Sequence, residues 1–156
     1  MNERGDEQAS TLFFRESLLH EMYFSEKPRL AELTVRYEAL RCDIMQQYYM
    51  NKDYDNVIRI ATSLDIHDDA DPNASCLVYY YKAQAYVKLE NYPMAKEAFF
   101  REFELRKKYL GWEEEDTILA CQNLGVLYSF CNEREEALAC FREAYGHEVK
   151  KEWRGF

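Results

Sequence analysis

Two stretches decide the fold: YVKLENYPMAKEAF, running from Tyr86 to Phe99, and YSFCNEREEALACF, running from Tyr128 to Phe141. In each, a Tyr is followed nine residues later by an Ala (Ala95, Ala137) and four residues after that by a Phe (Phe99, Phe141). A small residue stands three before each Tyr, Ala83 in one and Gly125 in the other, so every element recurs at an offset of 42 residues. The spacing describes a helix hairpin. The small residue lets two helices approach closely and the Tyr ring fills the gap between them. The Ala on the second helix permits contact with the first, and the Phe packs onto a following hairpin. Such a unit cannot bury its apolar face alone and must stack. A worn third copy lies upstream at Tyr48, Val57 and Ala61, followed by Leu64, 38 residues before the middle one and with Met45 in the small position.

Helical spacing of apolar residues continues outward from these units. Residues 1–10 read as a flexible tail. A first helix runs from Thr11 to Phe24, with Leu12, Phe13, Leu18, Leu19, Met22 and Tyr23, and a second from Pro28 to Met50. Asp53 is placed to cap a third helix reaching Leu64, and Asp71 with Pro72 to open a fourth. The stretch Asp65 to Asn73 is the longest and most acidic loop. A fifth helix stops at Gly111, in the position where a left-handed residue closes a helix. The sixth covers about Thr117 to Cys131, beginning beside Glu113–Asp116, where a helix start favours negative charge. The seventh runs from Arg134 to about Tyr145, and Gly146 either ends it or is tolerated inside it. With five Gly and three Pro in 156 residues, long helices with short connections are favoured over β structure. One domain over residues 11–156 is expected.

The last unit resembles a tetratricopeptide repeat, with Leu124, Gly125, Tyr128, Ala137, Phe141 and Ala144 on that family's signature positions. Cys121 stands where the family often has Trp. The middle unit matches at Tyr79, Ala83, Tyr86, Ala95 and Phe99, and departs from the pattern at Lys82 and Glu102. The 42-residue spacing and the run from Leu110 to Tyr145 are similar to the kinesin-light-chain type of this repeat. The resemblance implies an all-α, right-handed superhelical stack of about three hairpins behind an extra N-terminal helix. Its units are a degenerate one at about 38–65 and clear ones at about 76–110 and 118–149. It also implies a module that binds another protein rather than an enzyme.

In this repeat class the first helix of each hairpin lines a concave face. Carried over by position, the groove would hold Tyr49 from the first unit, Tyr80, Tyr81, Gln84 and Lys88 from the second, and Gln122, Asn123, Val126 and Phe130 from the third. Aromatic anchors beside amides suit a helical or extended peptide. Tyr80 and Tyr81 could equally be packing residues at a hairpin interface. The Lys and Asn clamp of chaperone-binding repeats is not recognisable, since Tyr80, Gln84, Gln122 and Val126 stand there.

Composition narrows the partners. The net charge is −9, with 15 acidic and 8 basic residues in 1–75 against 14 and 12 in 76–156. Such a field disfavours nucleic acid and favours a basic peptide or protein, or simply keeps the chain soluble. Five Cys without a tight pair, a charged N-terminus and no long apolar run point to a reduced intracellular protein without a membrane span. No phosphate loop or zinc template occurs, the three His lie apart, and the acidic loop lacks the Gly and terminal Glu of a calcium site, so no catalytic residue, metal or cofactor is expected. Two further readings stay open. Three-repeat chaperones of type III secretion resemble the chain in length and acidity, and the sequence could be a repeat domain of a larger protein. A homodimer is a further expectation, through the N-terminal helix or through the C-terminal stripe of Phe141, Tyr145, Val149, Trp153 and Phe156, the alternative being that Trp153 folds back onto Tyr145 and the stripe covers itself.

Overall fold

The computed structural model describes residues 3–26, 31–64 and 71–154, with side chains at 7–22, 38–64 and 71–153. Among these there are seven helices and no strand. They are α1 (Glu3–Glu26), α2 (Ala31–Met50), α3 (Tyr54–Ser63), α4 (Pro72–Lys88), α5 (Tyr92–Tyr109), α6 (Glu115–Phe130) and α7 (Arg134–Arg154). The chain divides into two compact units, residues 1–66 and 67–156, where the sequence suggests one domain. Each consists of helices packed against their sequence neighbours: α1 on α2 and α2 on α3 in the first unit, and α4 on α5, α5 on α6 and α6 on α7 in the second.

The three hairpins close on one backbone device. Lys52, Glu90 and Asn132 take the left-handed conformation, with φ of 61°, 60° and 60°. That conformation costs a non-Gly residue roughly 1–2 kcal/mol. The next amide in each case turns back onto the carbonyl of the signature Tyr: Asp53 N to Tyr48 O at 2.9 Å, Asn91 N to Tyr86 O at 2.9 Å, Glu133 N to Tyr128 O at 2.8 Å. These bonds satisfy carbonyls that a helix end otherwise leaves orphaned. Asp53 and Asp71 cap α3 and α4, their carboxylates accepting from the Asn56 and Ala74 amides. Gly111, at φ 72°, ends α5 with its N–H on the Arg106 carbonyl.

The first unit buries Leu12, Ile44, Met45, Tyr48, Val57 and Ile60. Arg59 ties α3 to α1 by a two-pronged bond, Nη1 to Glu16 Oε1 at 2.7 Å and Nη2 to Oε2 at 2.8 Å. The guanidinium holds the Glu16 carboxyl below its ordinary range. The second unit is built on Ala83, Ala95, Phe99, Phe103, Leu124, Leu127 and Ala144, with Tyr86 and Tyr128 packed partly buried against them.

Several boundaries differ from the sequence reading. The expected tail is helical from Glu3, because Glu, Arg, Gln and Ala are good helix formers that need no apolar face to wind a helix. Helix α7 continues through Gly146 to Arg154, since a single Gly costs only about 1 kcal/mol against a long run of helix formers. The ring of Phe141 lies over Gly125, where an added Cβ would meet Phe141 Cε1 at 2.9 Å. The close approach that Gly125 allows is therefore filled from within its own hairpin. Residues 65–70 of the acidic loop, and Phe156 of the C-terminal stripe, lie outside the described residues.

Candidate functional site

On a helix, residues three and four apart share a face. Leu119, Val126 and Phe130 thus form one stripe along α6, all three exposed, with half-buried Gln122 and Asn123 on its flanks. The 42-residue offset maps this stripe onto Leu77, Gln84 and Lys88 of α4, flanked by Tyr80 and Tyr81. Leu77 and Lys88 are exposed there, and Gln84, Tyr80 and Tyr81 half-buried. The positions expected to bind on the two helices therefore fall on matching faces.

Tyr80 anchors the α4 face. It packs against the buried cluster, meets Tyr81 edge-on with ring centroids 5.3 Å apart, and shares a hydrogen bond with Gln84. Burial, with Glu102 nearby, pushes its hydroxyl above the ordinary Tyr value. Beneath it Glu102 is 2% exposed, an unusual setting for a carboxylate. Arg106 Nε donates to Glu102 Oε2 at 2.7 Å, while Oε1 is buried without a hydrogen bond among the described residues. Arg106 Nη1 also lies 3.8 Å from Asp116 Oδ2 on α6. Burial outweighs the arginine and raises the Glu102 carboxyl to about 7.

At the other end, Phe130 stacks on Tyr92 with centroids 4.8 Å apart and planes 5° from parallel. Its ring still presents more than half its surface to solvent. The pair makes a flat aromatic platform at the end of α6. Tyr49 belongs to the first unit, where its ring meets Tyr54 edge-on at 5.6 Å.

Sequence reasoning missed three residues of this face. Leu77 and Leu119 sit one turn ahead of Tyr80 and Gln122, the first positions taken from the repeat class, although their spacing of seven from Gln84 and Val126 gives them away. Tyr92 joins through its stack on Phe130, a contact between two helices that no local spacing reveals.

The remaining chemistry is sparse. No group of three His, Cys, Asp or Glu able to hold a metal occurs among the described residues. The Cys121 thiol donates to the Cys140 carbonyl at 3.2 Å, and burial lifts its pKa to about 12, the opposite of an activated nucleophile. No helix among the described residues is long and apolar enough to cross a membrane.

Comparison with known proteins agrees with the geometry. Residues 118–146, from the first turn of α6 to Gly146 in α7, match the family described as tetratricopeptide repeat. Comparison with curated protein sequences returns no match. Among solved structures, the crystal structure of BtubC (BKLC) from P. vanneervenii is similar, with a TM-score of 0.53 and 16% identity over 95% of this chain. This chain spans 59% of the length of that one.

Proposed function

We propose, from the premise that α6 and α7 form a tetratricopeptide repeat, that this chain is a non-enzymatic intracellular interaction module whose second unit binds a peptide segment of another protein. The observation that carries the reading is the exposed stripe Leu119, Val126 and Phe130, edged by Gln122 and Asn123. Apolar side chains left in water supply the drive for association, and amides can both donate to and accept from a peptide backbone. Tyr80 and Tyr81 extend the face on α4 with the side-chain type most often found at binding hot spots. The acidity of the chain favours a basic partner, chiefly through its rate of encounter. Adaptor and assembly roles fit this surface, and a dedicated chaperone would use the same face.

A photo-crosslinking residue at Val126, set against a control at exposed Glu97, identifies the partner from native lysate. Calorimetry then measures the purified partner against Tyr80→Ala and Asn123→Ala. Each variant is expected to fold normally and to bind about tenfold more weakly. Unchanged affinity in both removes the α4 and α6 faces from the binding site.

A further inference from the structure

In the second unit each hairpin seam carries buried small residues, Ala83 and Ala95 in one, Gly125 and Ala137 in the other. Small side chains let helices draw together, and large ones hold them apart. Where α1 faces α2, the walls are instead Leu18, Leu19 and Met22 on one side and Leu40 and Ile44 on the other. Between them lies an open crevice of about 340 Å³, against roughly 30 Å³ for a water molecule. Leu18, Met22 and Leu40 are 47%, 58% and 47% exposed, so its apolar walls stand in water. A second crevice of about 360 Å³ continues it toward the start of α1, sharing Arg15 and Gln47 and adding the amides of Gln8 and Asn51. The two together follow α1 from Glu7 to Met22, about 22 Å or four helical turns.

The walls say what can lie there. Both are helices, whose backbone groups are already bonded within themselves, so an occupant must satisfy its own backbone and has to be a helix too. Leu18 and Met22, like Leu40 and Ile44, stand four apart and form two ridges that accept a third between them. Charge selects further. Glu7 and Asp43 line the groove and Glu21 stands on the same side of α1 as Leu18, all three exposed. Arg15 is the single cation among the described lining side chains.

We infer that the groove between α1 and α2 is a further docking site, which takes an amphipathic helix of a partner protein with Lys or Arg on its polar flanks. Its apolar stripe enters the crevice between Leu18 and Leu40, and its basic flanks lie against Glu7, Glu21 and Asp43. Where its polar end leaves the groove, the amides of Gln8 and Asn51 can donate to or accept from its last backbone groups. Arg15 opposes such a helix, so reversing its charge strengthens the contact. The site lies wholly within the first unit and does not depend on the stripe proposed for α6.

A peptide of about 15 residues, Leu at helical spacing and Lys elsewhere, matches the length of the groove. The same peptide with Glu for every Lys is its control, and calorimetry measures both against the full chain. Leu18→Gln and Leu40→Gln should each weaken the Lys peptide about tenfold. Asp43→Lys should weaken it by more than Glu97→Lys, an exposed carboxylate of the second unit, and Arg15→Glu should tighten it. Circular dichroism checks that each variant is folded, and Leu18→Ala and Leu40→Ala replace the Gln pair if it is not. Equal binding of the Glu peptide overturns the inference. So do Leu variants that bind as the native chain does, or equal losses at Asp43 and Glu97, the mark of diffuse attraction to an acidic protein. A native chain that sediments above 18.7 kDa while Leu40→Gln stays at that mass overturns it as well, since a second copy would then fill the groove.

Discussion

Replacing Glu102 with Gln tests whether the second unit is weakened by its own buried charge. Ionised Glu102 is 2% exposed and bonded through one oxygen only, so the folded state prefers its protonated form. Its pKa rises from 4.5 to about 7 on folding. The folded state thus holds a proton that the unfolded state releases, and stability falls as pH rises from about 4.5 to 7, levelling off above. At 1.36 kcal/mol per unit the fall totals about 3 kcal/mol. A Gln keeps the acceptor for Arg106 and removes the titration, while its buried N–H₂ returns about 1 kcal/mol for want of an acceptor. Glu102→Gln should therefore stabilise the unit by about 2 kcal/mol at pH 8 and leave it unchanged or slightly weaker at pH 5. Urea titrations at pH 5, 6, 7 and 8 measure this through Trp112, whose ring meets Phe103 edge-on at 5.6 Å and so reports on the neighbourhood of Glu102. Parallel stability curves for variant and native chain across that range would refute the reasoning.

Other changes separate the remaining contributions. Gly125→Leu should cost roughly 1–3 kcal/mol by thermal denaturation, because even a Cβ there meets the Phe141 ring at 2.9 Å. Gly146→Ala should instead stabilise by about 0.5–1 kcal/mol, since nothing lies within 4 Å of a Cβ at that helical position. Glu16→Gln should weaken the first unit by about 1 kcal/mol at pH 7, where its charged bond to the partly exposed Arg59 is intact. Because the Glu16 pKa is lowered on folding, that stabilisation is present above about 4.5 and lost as pH falls through the folded value, opposite in sign to Glu102.

Local chemistry made most of the fold readable. Asp53 and Asp71 cap as side chains of that length must, Gly111 takes the positive φ expected of a terminating Gly, and the Tyr, Ala, Phe spacing marks helices that do pair. What stayed hidden depends on contacts between elements. The ring of Phe141 lies over Gly125, a contact between two helices that the spacing along either one does not reveal. Glu102 reads as a departure from the repeat's pattern and its bond to Arg106, one turn on in α5, is local, while its burial emerges only when the neighbouring helices meet. At the candidate site the flanking Tyr80, Tyr81, Gln122 and Asn123 were legible through the repeat register. Leu77 and Leu119 were missed because positions borrowed from a repeat class stop short of the first turns.

The shared hairpin turn sets where these units can change length. From the signature Tyr to the start of the second helix the count is the same in all three, because the amide after the left-handed residue must reach that Tyr carbonyl. An inserted residue would break the bond and leave a left-handed Lys, Glu or Asn with nothing to offset its strain. The second helices carry no such lock: α3 has 10 residues and α5 has 18. Spacings of 38 and 42 can therefore sit side by side in one chain. A residue added after Lys52, Glu90 or Asn132 should unfold its hairpin, whereas one added beyond the second helix should merely lengthen a connection.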